Sequence, residues 1–96
     1  MNFLHKFLEY GLNGNVWIWF HIMAGGFFAK IALIWFDKTE TMVIILVSAI
    51  LWEVIEYYWD GKAEGMVDIY GSIERWFYDS LGDVIGAVLM AIIVLM

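Results

Sequence analysis

Three separate apolar stretches, each about as long as a bilayer is thick, constrain this chain more than any other feature of its sequence. They cover residues 16–36, 42–59 and 79–96. A helix over the first would be about 31 Å long, which matches one hydrocarbon thickness, whereas the third is barely long enough. Tryptophan stands near both ends of the first stretch, as is typical of the membrane–water interface. The sequence therefore predicts three transmembrane helices.

A soluble helical bundle with a very apolar core is the alternative fold. The chain is 64% hydrophobic, whereas soluble domains contain about 45–50% apolar residues. Three stretches of spanning length with aromatic ends make the soluble bundle the weaker interpretation. The predicted partners are accordingly membrane lipids, and a homo-oligomer stays open. The net charge of −6 excludes nucleic acid, because no basic patch is present to neutralise phosphates.

Two further segments have apolar residues at helical spacing but are unsuited to spanning. Residues 1–13 place Phe3 and Phe7 on one face and charged residues opposite, which is typical of a helix lying in the membrane interface. Residues 66–78 form a second interfacial helix or an early extension of the third span. The predicted fold class is therefore all-α and integral to the membrane, with residues 1–96 forming one domain.

The distribution of basic residues predicts the orientation. The N-terminal segment and the second loop share one side of the membrane and carry Lys6, Lys62 and Arg75. The other side has Lys38, with Lys30 within reach of it. The positive-inside rule therefore favours a cell-membrane protein with a cytoplasmic N-terminus.

Ionisable residues from all three predicted spans fall at one depth of the membrane. His21 lies near the start of the first span, and Glu53 and Glu56 lie near the end of the antiparallel second span. Asp79 and Asp83 lie at the start of the third. An acidic side chain in hydrocarbon costs roughly 2.5–3.5 kcal/mol on insertion scales. These groups must therefore share protons, meet a cation or line water.

Small residues on the same helical faces indicate where helices approach each other. Gly25 and Ala29 are four residues apart in the first span, and Gly82 and Gly86 are four apart in the third. Such spacing lets two backbones come close. Asp83 lies beside the second pair, so we expect it to point toward partner helices rather than lipid.

Carboxylates and imidazole together are ligands for hard and borderline divalent cations such as Mg, Ca, Mn or Zn. The predicted metal ligands are His21, Glu53, Glu56, Asp79 and Asp83. Asp60, Asp68 and Arg75 are further candidates for ligand binding near this level. In the alternative interpretation the acids are protonated and only hold helices together by hydrogen bonds.

Two short motifs carry a resemblance to a known family. Residues 52–56 read WEVIE and residues 79–87 read DSLGDVIGA. With the early His21, this resembles the VanZ-like group of small membrane proteins, which has a membrane histidine, an E-x-x-E or E-x-x-Q pair and then D-x-x-x-(N/D)-x-x-G. The family often has an arginine-rich loop before its last helix, where this chain has only Arg75. The resemblance implies a link to envelope function or antibiotic tolerance, without a settled chemistry.

Three function hypotheses follow from the sequence. The first is a VanZ-like protein whose interfacial acidic site binds a divalent cation or a cationic or phosphate-bearing lipid head group. The second is a metal-assisted enzyme acting on a lipid head group, similar to the small bacterial diacylglycerol kinase in its amphipathic N-terminus and three spans. The third is a structural or regulatory subunit. The absence of a Gly-rich phosphate loop weakens the enzyme hypothesis and leaves it open.

Overall fold

The chain folds into helices joined by short turns in a computed structural model, which describes residues 2–96. The all-α prediction is confirmed. The elements in order are α1 (Phe3–Lys6), a π-helical segment (Phe7–Asn13), α2 (Ile18–Ala32), α3 (Lys38–Trp59), α4 (Lys62–Tyr70) and α5 (Ile73–Leu95).

Two of these helices, α3 and α5, are long and apolar enough to cross a membrane. Helix α2 is also apolar but has only 15 residues, about 22 Å of helix. Tight turns extend it at both ends: the Trp17 carbonyl accepts from the amide of His21, and the Ala32 carbonyl accepts from the amide of Phe36. The apolar stretch 16–36 thus contains a helix shorter than the sequence predicts.

The boundaries of the last two helices also differ from those predicted. Helix α4 ends at Gly71, whose φ of 96° lies in the left-handed region that glycine tolerates best. Ser72 then caps α5, because its side chain accepts a hydrogen bond from the amide of Arg75. The predicted interfacial segment 66–78 is therefore divided, and its second half is the first part of α5.

Helix α3, which contains the second predicted span, also begins earlier than the predicted residue 42. Asp37 accepts a hydrogen bond from the amide of Glu40 at 2.7 Å, and the Glu40 side chain accepts from the amide of Asp37 at 3.1 Å. This reciprocal pair is a capping box, which satisfies two amides at a helix start. Residues 38–40, which lie before the predicted span, therefore form the first turn of α3.

The N-terminal segment packs along the beginning of α5. Lys6 Nζ lies 2.9 Å from a carboxylate oxygen of Glu74, and the hydrogen bond between them raises the pKa of Lys6. The guanidinium of Arg75 lies 4.6 Å from the centre of the Tyr10 ring, close enough for a cation–π contact. The predicted interfacial helix thus packs against α5 through these two contacts, and it is π-helical beyond Lys6.

Helix α5 is the central element, in contact with the π-helical segment, α2, α3 and α4. Its closest neighbour is α2: a Cβ on Gly25 would meet the backbone of Ala87. Ala29 and Ala91 are fully buried in one cluster, four residues further along each helix. This ladder of small residues allows the two backbones to approach.

Gly82 and Gly86 lie at two further contacts of α5, one with the π-helical segment and one with α2. A Cβ on Gly82 would meet the backbone of Gly11 in the π-helical segment. A Cβ on Gly86 would come within 3.0 Å of the Ile22 side chain and 3.3 Å of the Ile18 side chain. All four predicted packing residues therefore lie at contacts between elements.

The packing predicts that alanine substitution at two neighbouring glycines changes the free energy of unfolding differently. Gly25→Ala places a methyl group against the fixed backbone of Ala87, so we expect a loss of about 1–3 kcal/mol in the free energy of unfolding. Gly26→Ala is the matched control, because its added Cβ meets the flexible Met90 side chain at 2.8 Å. Both variants share the same gain in helix propensity. Denaturant titration in detergent measures the difference, and equal stabilities would contradict the packing.

Candidate cation site

Three side chains from three different helices converge on one point: His21 of α2, Glu53 of α3 and Asp83 of α5. One possible ligand atom from each lies within 4.8 Å of the other two. His21 Nε2 is 3.3 Å from Asp83 Oδ2. Glu53 is only 7% exposed and Asp83 only 3% exposed. We call these three residues the triad.

The small-residue ladder explains why the triad forms. His21 is one helical turn before Gly25, and Asp83 is one turn before Ala87. Because α2 and α5 run parallel with their closest approach at Gly25 and Ala87, the residues one turn earlier also face each other. Helix α3 packs on α5 as well and brings Glu53 to the same level.

Asn15 is the residue that sequence reasoning missed. Its Nδ2 lies 2.6 Å from Asp83 Oδ1, 3.0 Å from the Asp79 carbonyl oxygen and 3.1 Å from the Gly11 carbonyl oxygen. Three surrounding acceptors identify this atom as the donating nitrogen of the amide. The sequence shows Asn15 only as part of a helix-breaking turn, with no signal that its side chain is buried.

The two oxygens of Asp83 therefore have different partners. Oδ1 accepts from Asn15, and Oδ2 faces His21. Glu53 contrasts with this, because its Oε1 is buried without a hydrogen-bond partner. A buried ionised carboxylate without a partner is strongly unfavourable in an apolar surrounding. Glu53 is thus the least satisfied member of the triad.

A cavity of about 350 Å³ opens beside the triad. Its wall combines acidic and aromatic side chains, and none of its lining residues is Lys or Arg. The lining residues are Trp17, Phe20, His21, Trp52, Glu56, Asp60, Tyr70, Asp79 and Asp83. Burial, followed by the charge of Asp79, raises the pKa of Tyr70 well above its ordinary value, so its phenol is neutral at pH 7.

The other candidate residues divide into two groups. Glu56, Asp60 and Asp79 line the cavity together with the triad residues His21 and Asp83. Asp68 is exposed on α4, and Arg75 lies over the Tyr10 ring. The structure does not bring these last two residues to the cavity, because α4 directs Asp68 outward and Arg75 faces the N-terminal segment.

Comparison of the chain with protein-family models, curated proteins and solved structures gave no match. The resemblance of its motifs to the VanZ-like group therefore stays a prediction. What the site can do has to be inferred from its own residues.

The hydrogen bonds of Asn15 predict that this residue stabilises the fold. Asn15→Ala leaves Asp83 Oδ1 without a donor in a buried position, which we expect to lower the free energy of unfolding by about 1–3 kcal/mol. Asn13→Ala is the control, since Asn13 is exposed two residues away and should change stability by less than about 0.5 kcal/mol. Equal effects of the two substitutions in a denaturant titration would show that the Asn15 bonds contribute little.

Proposed function

We propose that this protein crosses the membrane three times and binds a divalent cation between His21, Glu53 and Asp83. The observation that carries the proposal is the buried Glu53 carboxylate, which has an oxygen without a hydrogen-bond partner and lies beside two other potential ligands. A cation at this point would satisfy it.

The exposed surface of the helices supports a membrane location. Trp19, Met23 and Phe27 form one exposed stripe along α2, and most of the apolar side chains of α3 are exposed as well. Soluble monomers rarely expose contiguous apolar patches of more than a few hundred Å². Lipid contact accounts for these surfaces. The short α2 would span with its flanking turns and a locally thinner bilayer.

The charges of the triad fit a divalent ion. Glu53 and Asp83 together carry two negative charges when ionised, which one divalent cation balances. Carboxylate oxygens suit Mg, Ca and Mn, and imidazole nitrogen suits Zn, so the triad offers ligands of both kinds. Glu56 and Asp79 lie close enough to the cavity to bind water molecules or complete the coordination.

The alternative, in which the acids only hold helices together, accounts for part of the site. The Asn15–Asp83 hydrogen bond at 2.6 Å is such a link. It leaves Glu53 Oε1 buried without a partner, although buried polar atoms are normally hydrogen-bonded. A cation at the triad would account for this oxygen, which the hydrogen-bonded alternative does not.

The proposed ligands coincide with the motif positions that resemble the VanZ-like group. His21, Glu53 and Asp83 come from the membrane histidine, the acidic pair and the final acidic motif respectively. We propose membership of this group, with a role in the cell envelope, on that basis. Its known link to antibiotic tolerance then becomes the physiological context to test.

The three-span arrangement predicts which positions are accessible from each side. The chain has no native cysteine, so single substitutions Asn2→Cys, Lys38→Cys and Glu64→Cys report on the N-terminus, the first loop and the second loop. Asn2→Cys and Glu64→Cys should react with a membrane-impermeant thiol reagent from one side, and Lys38→Cys from the other. Labelling of Lys38→Cys from the same side as Asn2→Cys would rule out the arrangement.

The cation proposal predicts a metal-dependent stability. A bound ion stabilises the folded protein by about 2.7 kcal/mol at a hundredfold excess over its dissociation constant. Thermal unfolding in detergent should therefore shift upward with one of Mg²⁺, Ca²⁺, Mn²⁺ or Zn²⁺ and return with a chelator. The double substitution Glu53→Gln with Asp83→Asn should abolish the shift.

The matched control for this experiment is Glu64→Gln with Asp68→Asn, which removes the same charge from exposed positions of α4. The control should keep the full metal response. If the parent protein responds to none of the four ions, the metal proposal is wrong. If the control loses the response and the triad variant keeps it, the ion binds at α4 instead.

A further inference from the structure

The cavity and the triad together contain more carboxyl groups than the charge of one divalent ion can balance. With Glu53 and Asp83 balanced by the ion, Glu56, Asp60 and Asp79 remain. Within residues 2–96, none of these three forms an ion pair with a Lys or Arg side chain.

The aromatic side chains of the cavity indicate which kind of cation would occupy the remaining space. The indoles of Trp17 and Trp52 and the neutral phenol of Tyr70 line it. The face of an aromatic ring attracts a weakly hydrated organic cation, and tryptophan does so best. A second metal ion would instead need oxygen ligands at fixed distances. Rings together with carboxylates therefore favour an alkylammonium group.

The size and charge of the cavity agree with this choice. Its volume of about 350 Å³ is at the lower end of the range for small-molecule pockets, which suits a small head group rather than a large ligand. No Lys or Arg lines it, so the acidic side chains of its wall would repel a phosphate group. The cavity is selective for cations by its charge and for organic ones by its rings.

We infer that the outer cavity, formed by Trp17, Trp52, Glu56, Asp60, Tyr70 and Asp79, binds an alkylammonium group next to the metal-bound triad. The inference rests on the proposed function in one respect, since the divalent ion is assigned to the triad. The ammonium would sit against the indole faces while Glu56 and Asp79 balance its charge. The amine could be free in solution or carried by a membrane amphiphile, and both present the same chemistry to the cavity.

Isothermal calorimetry on the full chain tests this inference. The protein is placed in nanodiscs of phosphatidylglycerol, which contain no choline lipid, with the stabilising divalent ion present. Choline is the probe, and its neutral carbon isostere dimethylbutanol is the chemical control. Choline should bind, and the isostere should bind at least about tenfold more weakly. Equal binding of choline and the isostere, or binding of neither choline nor the amphiphilic probe described below, would overturn the inference.

Two substitutions locate the binding. Trp52→Leu removes a ring and Glu56→Gln removes a charge from the cavity, and each should weaken choline binding about tenfold. Trp59→Leu and Glu64→Gln are the matched controls, because both residues are exposed and neither lines the cavity. The controls should bind choline as the parent does. Parent-like binding by both cavity variants would place the ammonium elsewhere and overturn the inference.

A second probe identifies the source of the amine. Dodecyltrimethylammonium carries the same head group on an apolar chain, so binding of this probe without binding of choline indicates a membrane-borne ligand. Similar affinities of the two indicate a free amine. Both outcomes support the alkylammonium site.

The shift in thermal unfolding caused by the divalent ion, measured on the same samples, separates this inference from the proposed function. A metal response without ammonium binding refutes the outer site alone. Ammonium binding without any metal response refutes the metal at the triad alone. If choline affinity falls in proportion to the divalent ion concentration, both cations compete for one place, and the division into inner and outer sites is wrong.

Discussion

The close approach of α2 and α5 is the constraint on which the rest of the structure depends. Gly25 lies against the backbone of Ala87, and Ala29 and Ala91 are fully buried one turn further on. In the proposed membrane location, lipid would give no hydrophobic driving force for helices to associate, so packing of small residues would supply much of the attraction. One turn before this contact, the same geometry places His21 opposite Asp83. The contact that holds the helices together thus also assembles the site.

The buried acids of the site are satisfied unequally. Asn15 satisfies one oxygen of Asp83, which reduces the cost of keeping that carboxylate buried. Glu53 has no such partner for its Oε1, and the cavity wall adds three more acids. An arrangement optimised only for stability would replace such groups with apolar residues. The clustering of these acids in and beside one cavity is the reason to propose a ligand for them.

The amino-acid pattern predicts the helical class because apolar stretches and helical spacing survive in any environment. It also places His21, Glu53 and Asp83 at one level, since their depth follows from counting residues along α2, α3 and α5. Helix starts are harder to predict from sequence. Asp37 and Ser72 resemble ordinary loop residues, and only the structure shows that their side chains accept amide hydrogen bonds at a helix start. The burial of Asn15 could not be predicted, since it results from contacts with Asp79 and Asp83 that are distant in sequence.

The hydrogen bond between Asn15 and Asp83 joins residues separated by 68 positions, and this sets an order of assembly. Synthesis proceeds from the N-terminus, so Asn15 and His21 are in place long before α5 is made. The contacts of Asp83 with Asn15 and His21 can form only after α5 has been synthesised. Because they close so long a loop, we expect their formation to be a late and slow step in folding. The N-terminal segment, the first part to be synthesised, is then among the last to dock.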